Sequence, residues 1–231
     1  GTIFAATGPV PLTNASASVT FSTTNFTLPP GLSLPVVAQF TLPEGDASTF
    51  PVYSGFIEVS SGPTDNLHVT YLGLGASLKD KQVLDTTDKW LGIRFPLVLN
   101  STLNIQVNPT NYTFKGQDAP ILLYRLVFGT PYFRLDLVDF NIQLADIPNE
   151  GDSFSNVPIV GPLADFDYIP RHDNSQSTGA SVVRLSTHFA NGTSIPNGSY
   201  RLLIRALRVT GDATKEEDYD SWLSPIIGFQ T

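Results

Sequence analysis

Apolar and polar residues alternate with a period of two along much of the chain, the spacing at which successive side chains leave opposite faces of an extended strand. Ala17 to Phe21 reads A-S-V-T-F, and Leu34 to Phe40 reads L-P-V-V-A-Q-F, with Val36, Ala38 and Phe40 on one face. Phe56 to Val59 and Leu67 to Tyr71 repeat the pattern. Between these runs stand Pro29-Pro30-Gly31, Pro43-Glu44-Gly45-Asp46 and Ser60-Ser61-Gly62-Pro63, clusters that favour tight turns. Short strands broken by frequent turns predict an antiparallel sandwich or barrel.

The stretch from Ala76 to Trp90 is polar and carries Lys79, Asp80, Lys81, Asp85, Asp88 and Lys89. It predicts a connection between two β units, with a boundary near Thr86, so that residues 1–85 and 86–231 form separate domains. Strand patterning resumes beyond it. Leu122 to Phe128 is an apolar run with Arg125 inside it. Phe133, Leu135 and Leu137 share a face with Arg134 and Asp136 opposite, and Tyr200, Leu202, Ile204 and Ala206 share another after an Asn197-Gly198 turn. The stretch from Asn149 to Ala180 is rich in Pro, Asp, Ser and Asn and predicts a long surface loop, with Phe154, Phe166 and Tyr168 packed against a sheet.

Composition sharpens this picture. Hydrophobic residues form 41% of the 231, enough for a packed core, while charged residues are only 15%. The net charge of −8 repels phosphate backbones, so a nucleic acid partner is not expected. No apolar run approaches the length of a membrane span, and no Lys/Arg cluster suits a membrane surface. The absence of cysteine excludes disulfides, Cys-ligated zinc and thiol catalysis. Six Asn-X-Ser/Thr triplets begin at Asn14, Asn25, Asn100, Asn111, Asn191 and Asn197. Chance would supply roughly two or three in a chain of this make-up, so N-linked glycans and a secreted, extracellular setting are expected. The chain opens at Gly1 without Met or a signal-peptide pattern, which predicts either an N-terminus made by processing or a chain cut from something larger.

Candidate chemistry is sparse. The three histidines are His68 in a strand pattern, His172 in the long loop and His188 near a strand end, and no serine stands in a Gly-X-Ser-X-Gly elbow. Asp165 and Asp167 flank Phe166, and Glu216, Glu217, Asp218 and Asp220 form an acidic run, but neither has the spacing of a calcium-binding loop. No catalytic residue, metal ligand or cofactor site is predicted. The two tryptophans, Trp90 and Trp222, are expected in core or interface.

Two segments go further. Val19-Thr20-Phe21-Ser22, Phe26-Thr27-Leu28-Pro29-Pro30-Gly31, Pro51-Val52-Tyr53-Ser54-Gly55-Phe56-Ile57 and Leu67-His68-Val69-Thr70-Tyr71-Leu72-Gly73 together resemble the fibronectin type III-like domain that follows the catalytic domain of large secreted subtilases. Thr70 stands where that family usually has Pro. Asn197-Gly198-Ser199-Tyr200-Arg201, Arg205-Ala206-Leu207, Gly211-Asp212 and Asp218-Tyr219-Asp220-Ser221-Trp222 resemble the C-terminal domain of fungal members. The resemblance covers about half of the chain, through residues 17–80 and 197–230, and its motifs are structural. It implies an all-β chain of two fibronectin type III-like or immunoglobulin-like antiparallel β-sandwiches. It also implies a non-catalytic region that braces a protease domain or influences substrate access. On this resemblance Gly1 falls inside the first sandwich, after its opening strands; the missing strands are expected from the remainder of a protease precursor or another protein chain, the alternative being a first domain that tolerates their loss. An independent extracellular module that binds glycans or cell wall is the alternative.

Overall fold

The computed structural model describes residues 4, 8–62, 65–143 and 157–231; residues 149–156 of the predicted long loop, Phe154 among them, lie outside these. The described residues are all-β. Thirteen strands follow in order: β1 (Ser18–Phe21), β2 (Ala38–Thr41), β3 (Val52–Ser60), β4 (Asn66–Leu74), β5 (Leu97–Leu99), β6 (Thr110–Tyr112), β7 (Ile121–Tyr124), β8 (Thr130–Asp139), β9 (Ile159–Ile169), β10 (Ser181–Arg184), β11 (Gly198–Leu207), β12 (Tyr219–Leu223) and β13 (Ile227–Phe229). Short 3-10 turns at Ala47–Thr49 and Glu216–Asp218 interrupt them. The chain divides into two units, with the change between Ser77 and Leu78. The polar stretch predicts the change near Thr86, and Val83, Leu84 and Asp85, just before that point, are buried. Val83 and Leu84 donate their N–H groups to the carboxylate of Asp220, which anchors this connector despite its polar composition.

The first unit consists of two antiparallel pairs, β1 with β2 and β3 with β4. Alternation turns Tyr53 and Tyr71 to the same face of the second pair, and both rings lie against Phe40 of β2, at 6.5 and 4.8 Å between centroids. Gly55 stands opposite Tyr71 and Gly73 opposite Tyr53 in the register, so each tyrosine ring covers the glycine across from it. The opposite face of the β3–β4 pair presents Val52, Phe56 and Leu72, which are 66%, 70% and 77% exposed. No described residue from 8 to 77 is buried.

The second unit holds the core. A six-stranded sheet runs β6-β13-β11-β8-β9, with β12 also paired to β11, and a three-stranded sheet runs β10-β7-β5. All pairings are antiparallel except that of β13 with β6. Phe133, Leu135 and Leu137 of β8 and Leu202, Ile204 and Ala206 of β11 meet Leu122 and Tyr124 of β7 in one core. Trp222 packs at its margin. The other face of β8 and β11 is covered at one end by a smaller cluster of Val138, Val157 and Leu203.

The long-loop expectation fails over residues 159–169, where β9 pairs along β8. Gly161, Pro162 and the two acidic interruptions Asp165 and Asp167 hide the strand from a propensity reading. As the terminal strand of its sheet β9 can carry a proline, because one side of its backbone has no ladder to maintain. Two register shifts against β8 bend it further from simple alternation. Phe166 and Tyr168, expected to pack against a sheet, are instead exposed on this edge.

Candidate functional site

Alternation along β8 and β11 sends Phe133, Leu135, Ile204 and Ala206 inward and so turns Tyr132, Arg134, Asp136, Arg205 and Leu207 to the opposite face. On that face lies a pocket of about 430 Å³. It is lined by Pro131, Tyr132 and Arg134 of β8, Asp167 and Tyr168 of β9, Arg205 and Leu207 of β11, Ala213 and Tyr219. The floor is a buried ion network. The Arg205 guanidinium donates to Asp136 Oδ2 at 2.8 Å and to Glu216 Oε1 at 3.2 Å, and Arg134 Nε lies 2.8 Å from Asp136. Arg205, Asp136 and Glu216 are all buried. Burial pushes the Glu216 carboxyl above the usual carboxylate range, against the pull of Arg205. Tyr219 donates its hydroxyl to Ala213 O at 3.1 Å, and burial raises its phenol to about 12. The rim differs from the floor. Tyr168 is 83% exposed and sits at φ 55°, the left-handed region that an aromatic residue rarely adopts.

A second cluster surrounds His172. Leu126 donates its N–H to His172 Nδ1 at 2.9 Å, and His172 Nε2 lies 2.9 Å from Ser181 Oγ. Because Nδ1 accepts a backbone hydrogen, the neutral ring carries its proton on Nε2 and donates to Ser181. A base that activates serine needs the reverse arrangement, with Nε2 accepting from the hydroxyl. Asp173 is turned elsewhere and accepts from Ser175 and Thr178, whose hydroxyls hold its carboxyl below the ordinary value. Burial, with the nearby Arg125 charge, lowers His172 below its usual 6.5. Arg125, the charge inside the apolar run of β7 and its extension, lies over the Trp90 ring at 5.3 Å and donates to Asp173 O.

The tripeptide Gly192-Thr193-Ser194 has the Gly-Thr-Ser order of a subtilase nucleophile segment, a signal that the elbow criterion passes over. It forms an exposed hairpin tip in which Ser194 bridges His188 through the backbone. Thr193 donates both its N–H and its hydroxyl to Asn191 Oδ1, the geometry of an Asx turn.

The six sequon asparagines do not converge. Asn14 and Asn25 lie in the first unit, and Asn100, Asn111, Asn191 and Asn197 in the second. All are exposed except Asn100, which is half-buried and accepts from Thr102 and the Asn104 N–H. Asn111 lies on β6 over Gly228, where any larger residue would collide with it. Asn197 accepts from the N–H and hydroxyl of Thr231 and donates to its carbonyl. His68 is exposed and meets the Phe56 ring edge-on at 6.0 Å. Asp165 and Asp167 lie on β9 beside Arg134 and Tyr132, their register partners. Among the described residues no group of three His, Cys, Asp or Glu is placed to hold a metal ion, and no helix is long and apolar enough to cross a membrane.

The pocket escaped the sequence reading because its residues come from four separated segments. Its one sequence signal was the charge in strands otherwise apolar, with Arg134, Asp136 and Arg205 at alternate positions. No protein-family model matches this chain, and no curated protein matches it either.

Proposed function

We propose that the chain is a non-catalytic interaction region of a secreted, N-glycosylated, subtilisin-like protease, and that its first unit is completed by extended strands from another polypeptide, the remainder of the protease precursor being the first candidate. The observation that carries this reading is the absence of any buried residue among the described residues of the first unit. Two-stranded antiparallel ribbons are marginal alone in water. Here Phe40 of one pair meets Tyr53 and Tyr71 of the other, while Val52, Phe56 and Leu72 face outward from the β3–β4 pair. Open backbone edges beside an apolar face are the two requirements for strand addition: main-chain hydrogen bonds supply affinity and alternate side chains fill the face. Completion in this way would give the fibronectin type III-like sandwich that the residues 17–80 resemble. The glycans would sit at the exposed sequons.

Hydrogen–deuterium exchange tests the reading on the full chain, alone and mixed with the protease domain of the same precursor. Alone, the amides of β3 and β4 should exchange at least tenfold faster than those of β8 and β11; the protease domain should slow them. Slow exchange of β3 and β4 in the isolated chain, or no change on mixing, would remove the basis for the proposal.

A further inference from the structure

We propose that the pocket on the outer face of the six-stranded sheet binds a neutral saccharide, a role beyond that of the first unit. Its volume, about 430 Å³, falls in the range of small-molecule sites. Three tyrosines line it, and they differ in burial as a stacking site requires. Tyr219 is buried and forms wall, Tyr132 is half-buried, and Tyr168 stands 83% exposed at the rim. The flat C–H face of a pyranose ring stacks on an aromatic face of this kind, apolar in its body and polar at its tip.

The polar groups match hydroxyls better than ions. Arg134 and Arg205 bring two positive charges, and Asp136, Glu216 and Asp167 bring three negative ones. The guanidiniums are already committed to Asp136 and Glu216, so an anionic ligand would compete with carboxylates fixed in the protein. The net charge of −8 disfavours an acidic polymer at longer range. Vicinal hydroxyls both donate and accept. The exposed Asp167 carboxylate can accept from them, and the outer edge of the Arg134 guanidinium, about one-third exposed, can donate.

The backbone at Tyr168 adds an independent observation. A left-handed φ of 55° is strained for a tyrosine, and at 83% exposure the side chain recovers little of that through packing. Tyr168 is one of the residues that line the pocket, where a bound sugar ring would cover it.

The test uses the whole chain, treated with endoglycosidase, in calorimetric titrations with laminarihexaose, cellohexaose, mannohexaose and chitohexaose. At least one should bind with a micromolar to millimolar Kd. Tyr168→Ala and Asp167→Ala should each weaken that binding about tenfold or more with the unfolding midpoint unchanged, since both side chains are exposed. Failure of all four sugars at millimolar concentration overturns the proposal. So does binding that both variants leave intact, or a pocket that takes extended peptides from a library and none of the sugars.

Discussion

Arg205 is a charged residue in a strand where its neighbours Ile204 and Ala206 face a packed core, and it is as buried as they are. Its charge is tolerated because Asp136 and Glu216 approach from two sides. Removing one member of such a network leaves the others buried without compensation. Arg205→Ala should therefore cost about 3–5 kcal/mol in urea unfolding, far more than Arg184→Ala on the exposed side of β10. A comparable loss in both variants would show that the network contributes nothing special. His172 makes a second prediction at this scale. Its folded pKa lies below 6.5, so the unfolded chain takes up the proton first as pH falls. The stabilisation from the neutral ring is complete above 6.5 and is lost as pH drops through the folded value. Thermal midpoints measured from pH 7.5 down to 5 should decline in the wild type. His172→Gln, neutral throughout and still able to accept from Leu126, should flatten that decline; an equal slope in both would refute the assignment.

Elements were legible where one side faces a dense core. The alternation of Phe133, Leu135 and Leu137, and of Leu202, Ile204 and Ala206, appears in the sequence and again in the six-stranded sheet. β9 was not legible, since an edge strand is free of the constraints that make a strand recognisable, and its Pro162 reads as a loop residue. The pocket was legible only as stray charges, because long-range pairing of β8, β9 and β11 creates it. In the β3–β4 pair the local chemistry is plainer. Gly55 and Gly73 leave room for the rings of Tyr71 and Tyr53, and a Cβ at either place would overlap the ring. Gly73→Ala should push Tyr53 off its seat against Phe40 and destabilise this pair by about 1–3 kcal/mol. Faster amide exchange confined to β3 and β4 would register it, and unchanged exchange would mean that the ring simply moves aside.

For the whole molecule, the contrast between units matters most. One has a continuous core fed by two sheets, and the other has aromatic contacts but no buried residue among those described. The sequence pattern is similar in both, since alternation reports which face could be buried and is silent on whether anything covers it. Among the described residues, the buried core lies beyond residue 78, and many of the exposed large hydrophobic side chains lie before it. The free end of β9 shows how such adhesiveness is held in check elsewhere. Phe166 and Tyr168 stand exposed along a sheet margin, an arrangement that invites copies of the molecule to zip together. Asp165 and Asp167 alternate with them, so two molecules approaching margin to margin would bring like charges into register. Neutralising that acidic pair should therefore trade solubility for stickiness, read as a rise in self-association by light scattering.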